Sequence, residues 1–512
     1  MLNVPLIQYK CKGALLAAAI GDALGWQFEV NSFNISEKKD FRDNSFNMWI
    51  RRSGGRYWPH KETIYAGEYS DDTQLILSVA RSIISGDWLY FFRLKELPFW
   101  LDYERGGGRS LKLSAQMYRM GEKPWLSKGR KRYFAAGGNG AAMRILPHII
   151  YNRHFDNIEA LMSDICMDSI STHGHPRAIL GAACYAYVLK MLMDKTCKLE
   201  YGEIVSIVEE GVSIWGKFYR EAVTDDWLES LHSSAGYSFN DVWDNTVNNM
   251  KEQLSFIATS LKKGVLINDQ YVLSKLGCFG REKGAGDITV LAVIYFASKY
   301  ANNPILGIKS AAFLSGIDTD TIASMTGGIL GMIHGVDWIP LEWRNVQDYN
   351  CICDIAEILC SQNVKETSKK ITSIRANELG KLIESPIGKL KKIYSKTVFS
   401  GKNGKITITK MKSLLGQTLY CKRYERIPKE NIYNNDVVDN RTHKQTILRD
   451  TVSFSMVDLM RIKDNPLFNR ISFKKIIRMI ELLRGGENIA MISSTLKVDK
   501  GIILEINRCI KS

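Results

Sequence analysis

The sequence predicts a predominantly helical body followed by a small, basic α(+β) C-terminal module, and three observations predict it. Two acidic clusters, Ser70-Asp71-Asp72-Thr73 and Asp318-Thr319-Asp320-Thr321, each stand in front of an apolar run with helical spacing. Residues 361–512 hold 31 Lys and Arg against 14 Asp and Glu, a net charge of +17, which leaves −2 for residues 1–360. Inside that basic part, Gly401 to Lys410 carries Ile406 and Ile408 between polar residues around Asn403-Gly404, which reads as a hairpin.

Taken in order, Ser70 occupies an N-cap position with Asp71 and Asp72 in the first turn, facing the positive end of the helix dipole. Leu75, Ile76, Val79, Ala80 and Ile83 then form one face. Gly137, Gly138, Asn139 and Gly140 form either a plain turn before a helix near Ala141 or a segment whose N–H groups approach an anion closely. Ala178–Val188 is an apolar helix after the loop Ser171 to Pro176, with Cys184 in the core. Asp318 is placed to cap a helix through Ile322, Ala323 and Met325, and residues 341 to about 365 close the body. Lys365 to Lys396 has helical spacing at Leu379, Leu382, Ile383 and Ile387, with Lys389, Lys391, Lys392 and Lys396 as a solvated face. Glu430 to Thr446 is a polar loop. Phe473–Leu483, Asn488–Leu496 and Ile502–Ile510 are three helices, the last two joined by Val498-Asp499-Lys500-Gly501. Their spacing fits a helix-turn-helix unit at 471–512, although Lys497 stands where the turn glycine is usual; a plain three-helix bundle has the same spacing.

Composition narrows the function classes. With 512 residues and 45% hydrophobic residues, the chain has room for two or three domains with a sizeable core. Ten cysteines without a C-x-x-C pair suit a reducing, cytoplasmic setting better than a disulfide framework. The first apolar stretch is broken by Gly21 and Asp22, so no secretory signal is expected, and no run of eighteen apolar residues predicts a membrane span. The basic excess predicts an anionic partner for the C-terminal module, nucleic acid before others. Nothing in the sequence fixes an oligomeric state.

The clusters have a second reading besides capping. Each offers two carboxylates and at least one hydroxyl, the oxygen donors that hard divalent cations take. Brought together in the fold, four carboxylates without a cation would repel one another and be costly to desolvate. His173 and His175 form an H-x-H pair, but no further Cys or His stands at zinc-ligand spacing. Arg105-Gly106-Gly107-Gly108-Arg109 is a basic loop that suits either a phosphate contact or the surface.

The ordered set Gly21-Asp22-Ala23-Leu24-Gly25 with Glu29, Ser70-Asp71-Asp72-Thr73, Gly138-Asn139-Gly140-Ala141-Ala142-Met143-Arg144, Ser171-Thr172-His173 and Asp318-Thr319-Asp320-Thr321 resembles the ADP-ribosylglycohydrolase family, over residues 11 to about 340. The resemblance implies an all-α fold, a compact helical domain over residues 1–365, with 366–470 left as a basic linker or small α+β segment. It implies two Mg²⁺ ions, with Mn²⁺ as a substitute, held by Ser70, Asp71, Asp72, Asp318, Asp320 and Thr321. Asp22 would sit beside the metal, and Asp22, Glu29, Asp72 and Asp320 would carry the chemistry, with Glu29 as acid or base near the scissile bond. Gly137, Gly138, Asn139, Gly140 and His173 would bind substrate. Two departures stand out: Ser70 replaces the commoner Thr, keeping the hydroxyl, and Ile317 follows Gly316 where relatives often have two glycines.

The implied activity is hydrolysis of a glycosidic bond joining ADP-ribose to a macromolecule, with nucleic acid as an acceptor suggested by the basic module. Carboxylates suit the oxocarbenium-like state of such a cleavage, and a divalent cation suits the ribose hydroxyls. Two other readings use the same residues: a hydrolase of ADP-ribosyl-arginine in proteins with a docking module, and a non-catalytic ADP-ribose sensor coupled to DNA binding. The complete acidic set speaks against the sensor.

Overall fold

The computed structural model describes residues 4–30, residues 45–426 except 56–57, 155–156, 196–198, 265 and 402–403, and residues 488–511 except 497, with four single positions between 475 and 483. Residues up to 426 form one compact unit and those from 475 onward a second.

The first unit is built on helices. Helix α1 (Val4–Val30) is rich in Ala and Gly and buried on nearly all sides. A short antiparallel hairpin follows, β1 (Trp49–Ser53) with β2 (His60–Ile64). Then come α2 (Asp71–Ser85), α3 (Arg109–Arg119), α4 (Ile158–Ile170), α5 (Pro176–Asp194), α6 (Gly286–Lys299) and α7 (Thr319–His334). Helices α5, α6 and α7 are apolar around most of their circumference, as expected of elements buried on all sides. Two further helices, α8 (Tyr349–Cys360) and α9 (Val364–Leu379), lead to a three-stranded antiparallel sheet in the order β3 (Leu390–Gly401), β4 (Gly404–Ser413), β5 (Thr418–Arg426).

The pairing of α1 with α7 positions the site. These two helices touch backbone to backbone. A methyl group on Gly21 would lie 2.1 Å from the carbonyl oxygen of Ala323, and one on Gly25 would lie 2.3 Å from that of Thr319. Only glycine allows that approach. The Thr319 hydroxyl donates to the Gly25 carbonyl at 2.9 Å and fixes the register.

Sequence and structure differ at three places. The lysine-rich helix expected to reach Lys396 ends at Leu379: Gly380 takes φ +70°, and Ser385-Pro386-Ile387-Gly388 turns the chain, with Gly388 at φ +104°. Lys391, Lys392 and Lys396 therefore lie on strand β3. The expected hairpin is present, with Gly401 opposite Gly404, but a third strand, β5, follows it. Asp318 sits at the N-cap position of α7 without capping it, since its side chain accepts no α7 amide.

The second unit shows α10 (Ile489–Leu496) and α11 (Lys500–Lys511), where two helices were expected. The Ser493 hydroxyl donates to the Val498 carbonyl at 2.8 Å across their turn. Two helices do not establish a helix-turn-helix. Glu430 to Thr446, and Phe473 to Leu483 apart from four positions, lie outside the described residues. Among the described residues no helix is long and apolar enough to cross a membrane.

Candidate active site

The α1–α7 contact carries Glu29, Asp318 and Asp320 to one place, and α2 points its first turn at the same place. A cavity of about 270 Å³ results, walled by Glu29, Asp71, Asp72, Asp318, Asp320 and Thr321 on the acidic side. Gly106, Gly108, Arg109 and Ser110 form a second wall, and Gly138, Asn139, Gly140, Met143, His173 and Gly284 a third. Carboxylate oxygens of Glu29, Asp318 and Asp320 lie within 4.8 Å of one another.

Asp22 is fully buried beneath this floor, and both of its oxygens are occupied. It accepts the Ser70 N–H at 2.9 Å, the Thr73 N–H at 2.9 Å and the Thr73 hydroxyl at 2.6 Å. It thus satisfies amides at the start of α2 and aims that helix. Ser70 caps α2, its hydroxyl accepting the Asp72 N–H at 3.3 Å. The same hydroxyl lies 3.5 Å from Asp72 Oδ2, which the Thr321 hydroxyl also reaches at 3.3 Å. Capping and approach to the acidic centre are therefore compatible in one serine.

Asp72 Oδ1 is buried and has no hydrogen-bond partner. Among the described residues, none of Asp71, Asp72, Asp318 and Asp320 is in a salt bridge. Burial pushes the Asp72 carboxyl well above its ordinary range, and Asp22, Asp71 and Asp318 push it further. Asp320 is raised by burial and by Glu29, Asp318 and Asp72; Asp71 by burial and by Glu104, Asp22 and Glu29. Burial and Asp318 raise Glu29 to about 7, against the opposing pull of Lys283. A set of oxygen donors in mutual repulsion, one of them without a partner, fits a hard divalent cation. The residues placed to hold it are Asp71, Asp72, Asp318, Asp320 and Thr321, with Glu29 beside them; Ser70, the sixth ligand expected, is fully buried and does not line the cavity, its hydroxyl standing 3.5 Å from Asp72 Oδ2.

The glycine segment is fixed from behind. Asn139 donates to Asp318 Oδ2 at 2.9 Å and to Thr289 Oγ1 at 3.1 Å, and its own N–H donates to the Gly284 carbonyl at 2.9 Å. Arg144 donates to the Gly140 carbonyl at 2.8 Å while its Nε binds Asp168 at 2.7 Å, and Asp168 also meets His148 at 3.2 Å. Gly137 stands outside the cavity wall, its carbonyl accepting the Gly286 N–H. His173 is buried against Gly138 and Gly140, its Nδ1 2.8 Å from the Thr172 hydroxyl. Burial, aided by Arg144, lowers its pKa to about 3, so it is a neutral ring at physiological pH.

Arg105 does not face the cavity. It is buried between Glu62 (3.1 Å) and Glu68 (2.7 Å), under the ring of Tyr420 at 4.0 Å. Of the loop it opens, Gly106, Gly108 and Arg109 reach the cavity. Nothing in the sequence assigned a role to Arg144, Asp168 or His148, although Arg144 ends the glycine motif, or to Glu62 and Glu68, whose partners Lys422 and Tyr420 lie 360 and 352 residues away.

A model of the ADP-ribosylglycohydrolase family matches residues 4–369. A protein named ADP-ribosylhydrolase ARH3 from Xenopus tropicalis is 26% identical over 358 residues, covering 65% of this chain and 89% of that protein. ADP-ribosylarginine hydrolase Tri1 from Serratia proteamaculans is 25% identical over 194 residues, 36% of this chain and 48% of that protein. A solved structure titled ADP-ribosylglycohydrolase-related protein complex aligns with a TM-score of 0.46 and 17% identity, covering 71% of this chain and 99% of the other.

Proposed function

The chain belongs to the ADP-ribosylglycohydrolase family, and on that premise we propose that it is a magnesium-dependent hydrolase, accepting manganese as a substitute, that removes ADP-ribose from a modified macromolecule by cleaving its glycosidic bond. The observation that carries the reading is the convergence of Asp71, Asp72, Asp318 and Asp320 from two helix starts, 249 residues apart at Asp72 and Thr321, around a carboxylate oxygen with no partner.

When bound, the cation supplies charge that offsets the carboxylates and orients vicinal ribose hydroxyls. The protein's own groups do the rest. Asn139 and Arg144 hold the Gly138–Gly140 segment so that its backbone faces the pyrophosphate. Neutral His173 lies against the same segment and offers a hydrogen bond without adding charge. Glu29, at the edge of the acidic set, exchanges a proton with the leaving group or the attacking water. Asp22 positions α2 and takes no direct part.

The experiment is release of free ADP-ribose from arginine-, serine- and nucleic-acid-linked conjugates, with magnesium, with manganese and with chelator. Cation-dependent release from one conjugate is expected. Equal release in chelator would refute the metal role, and no release from any conjugate would refute the hydrolase reading. Arginine linkage is a second reading because relatives named ADP-ribosylarginine hydrolase match part of the chain. Nucleic acid as acceptor rests on the net +17 of residues 361–512. It predicts DNA or RNA binding by the full chain that weakens steeply with salt; salt-independent or absent binding would sink it.

A further inference from the structure

We infer that strand β5, which lies beyond the family-matched residues, is a positioning element of the catalytic site, with Tyr420 and Lys422 holding the Gly106–Arg109 wall through Arg105 and Glu62. The inference rests on the hydrolase reading for its catalytic meaning but not for its structural content.

The contacts form a continuous line. The Tyr420 hydroxyl donates to Glu68, and its ring lies over the Arg105 guanidinium. Lys422 Nζ donates to Glu62 at 3.0 Å, and its backbone N–H donates to the Asp102 carbonyl at 2.7 Å, so β5 is tied to the chain that leads into the loop. Arg105 bridges Glu62 and Glu68, which sit on and just after β2. One residue on, Gly106 takes φ +122° and packs so tightly on Asp71 that a methyl group there would stand 2.5 Å from Asp71 Oδ1. A shift of the loop therefore moves a group that touches a candidate cation ligand.

Glu62, Glu68 and Arg105 are buried and the Lys422 side chain is only 7% exposed, so none can exchange its protein partner for water at low cost. Loss of Tyr420 or Lys422 leaves Glu68 or Glu62 undercompensated, and the nearest adjustable element is the glycine loop. Groups behind a metal ligand typically matter by about tenfold to a hundredfold in affinity or activity.

The test compares Tyr420→Phe and Lys422→Met with the wild-type full chain. Arg375→Lys serves as a control, since it loosens a different anchor of the sheet at Asp354 and Leu415. Amide hydrogen exchange across 102–109 is expected to speed up about tenfold in both variants but not in the control, and affinity for ADP-ribose to fall about tenfold. Unchanged exchange at 102–109 in Tyr420→Phe, which keeps the ring and disturbs folding least, would overturn the inference. Failure of the wild type to bind ADP-ribose would instead strike the hydrolase reading, while the exchange comparison still decides what β5 does.

Discussion

At Asp72 one carboxylate oxygen has the Ser70 and Thr321 hydroxyls within reach while the other, equally buried, has no partner. Replacing it by Asn removes charge from a repelling set, so Asp72→Asn is expected to raise the melting temperature in chelator and to abolish the stabilisation that magnesium gives the wild type. Turnover is expected to fall by more than about a hundredfold, beyond what loss of a group behind a ligand costs. A variant that keeps its magnesium-induced rise in melting temperature would contradict the assignment. Glu62 behaves oppositely. Burial pushes its carboxyl up, but Arg105, Lys422 and Arg51 outweigh burial and hold it at about 2, below its ordinary 4.5. A depressed carboxyl stabilises the fold above its unfolded value and loses that contribution as pH falls. Stability from Glu62 is therefore expected in full above about pH 4.5 and to drain away toward pH 2, with urea melts of Glu62→Gln showing a flatter acid slope. The acidic clusters were legible in the sequence because ligand type and helix-start position coincide within four residues. Arg105 was not: a basic residue before three glycines looks exposed, and only the fold brings Glu62, Glu68 and Tyr420 to it.

Helices α1 and α7 show what an element's surface, rather than any one side chain, contributes. Glycines at 21 and 25 let the helices meet at backbone distance, and a methyl at Gly25 would also stand 2.7 Å from the Cα of Asp320. Gly25→Ala is expected to cost about 1–3 kcal/mol through overpacking, and to lower cation affinity because Asp320 moves. Isothermal titration with magnesium alongside a denaturant melt checks both, and unchanged values in both would show that the helices separate freely. Helix α2 and strand β4 could be read from spacing; strand β3, which the helical period overruns as far as Lys396, could not. The lysine helix past Leu379 could not: its apolar period continued through Gly380, Pro386 and Gly388, and the breakers outweighed it. Strand β5 escaped notice because one face carries only Leu419 and Cys421 as apolar core residues and the other is covered through the polar contacts of Tyr420 and Lys422.

For the whole molecule, the sheet belongs to the same compact unit as the helices. Beyond the line through Tyr420, Thr418 donates both its N–H and its hydroxyl to Asp348 at 2.7 Å, and Asp348 also accepts the Tyr69 hydroxyl beside Ser70. A chain ending at residue 365 loses these partners and is expected to unfold or stay inactive, since breaking a single buried ion pair already costs about 3–5 kcal/mol. A chain ending at residue 428 is expected to melt cooperatively and keep its glycohydrolase activity. Equal activity of the two truncations in ADP-ribose release would show the sheet to be dispensable.

The bare glycine face of α1 has one more consequence, set by time. Its partner α7 ends at His334, some 300 residues later. At roughly 5–20 residues per second, a ribosome needs about 15–60 s to deliver it. Through that interval the newborn helix presents a seam that only α7 closes, so the acidic centre cannot assemble until about two thirds of this chain has been made.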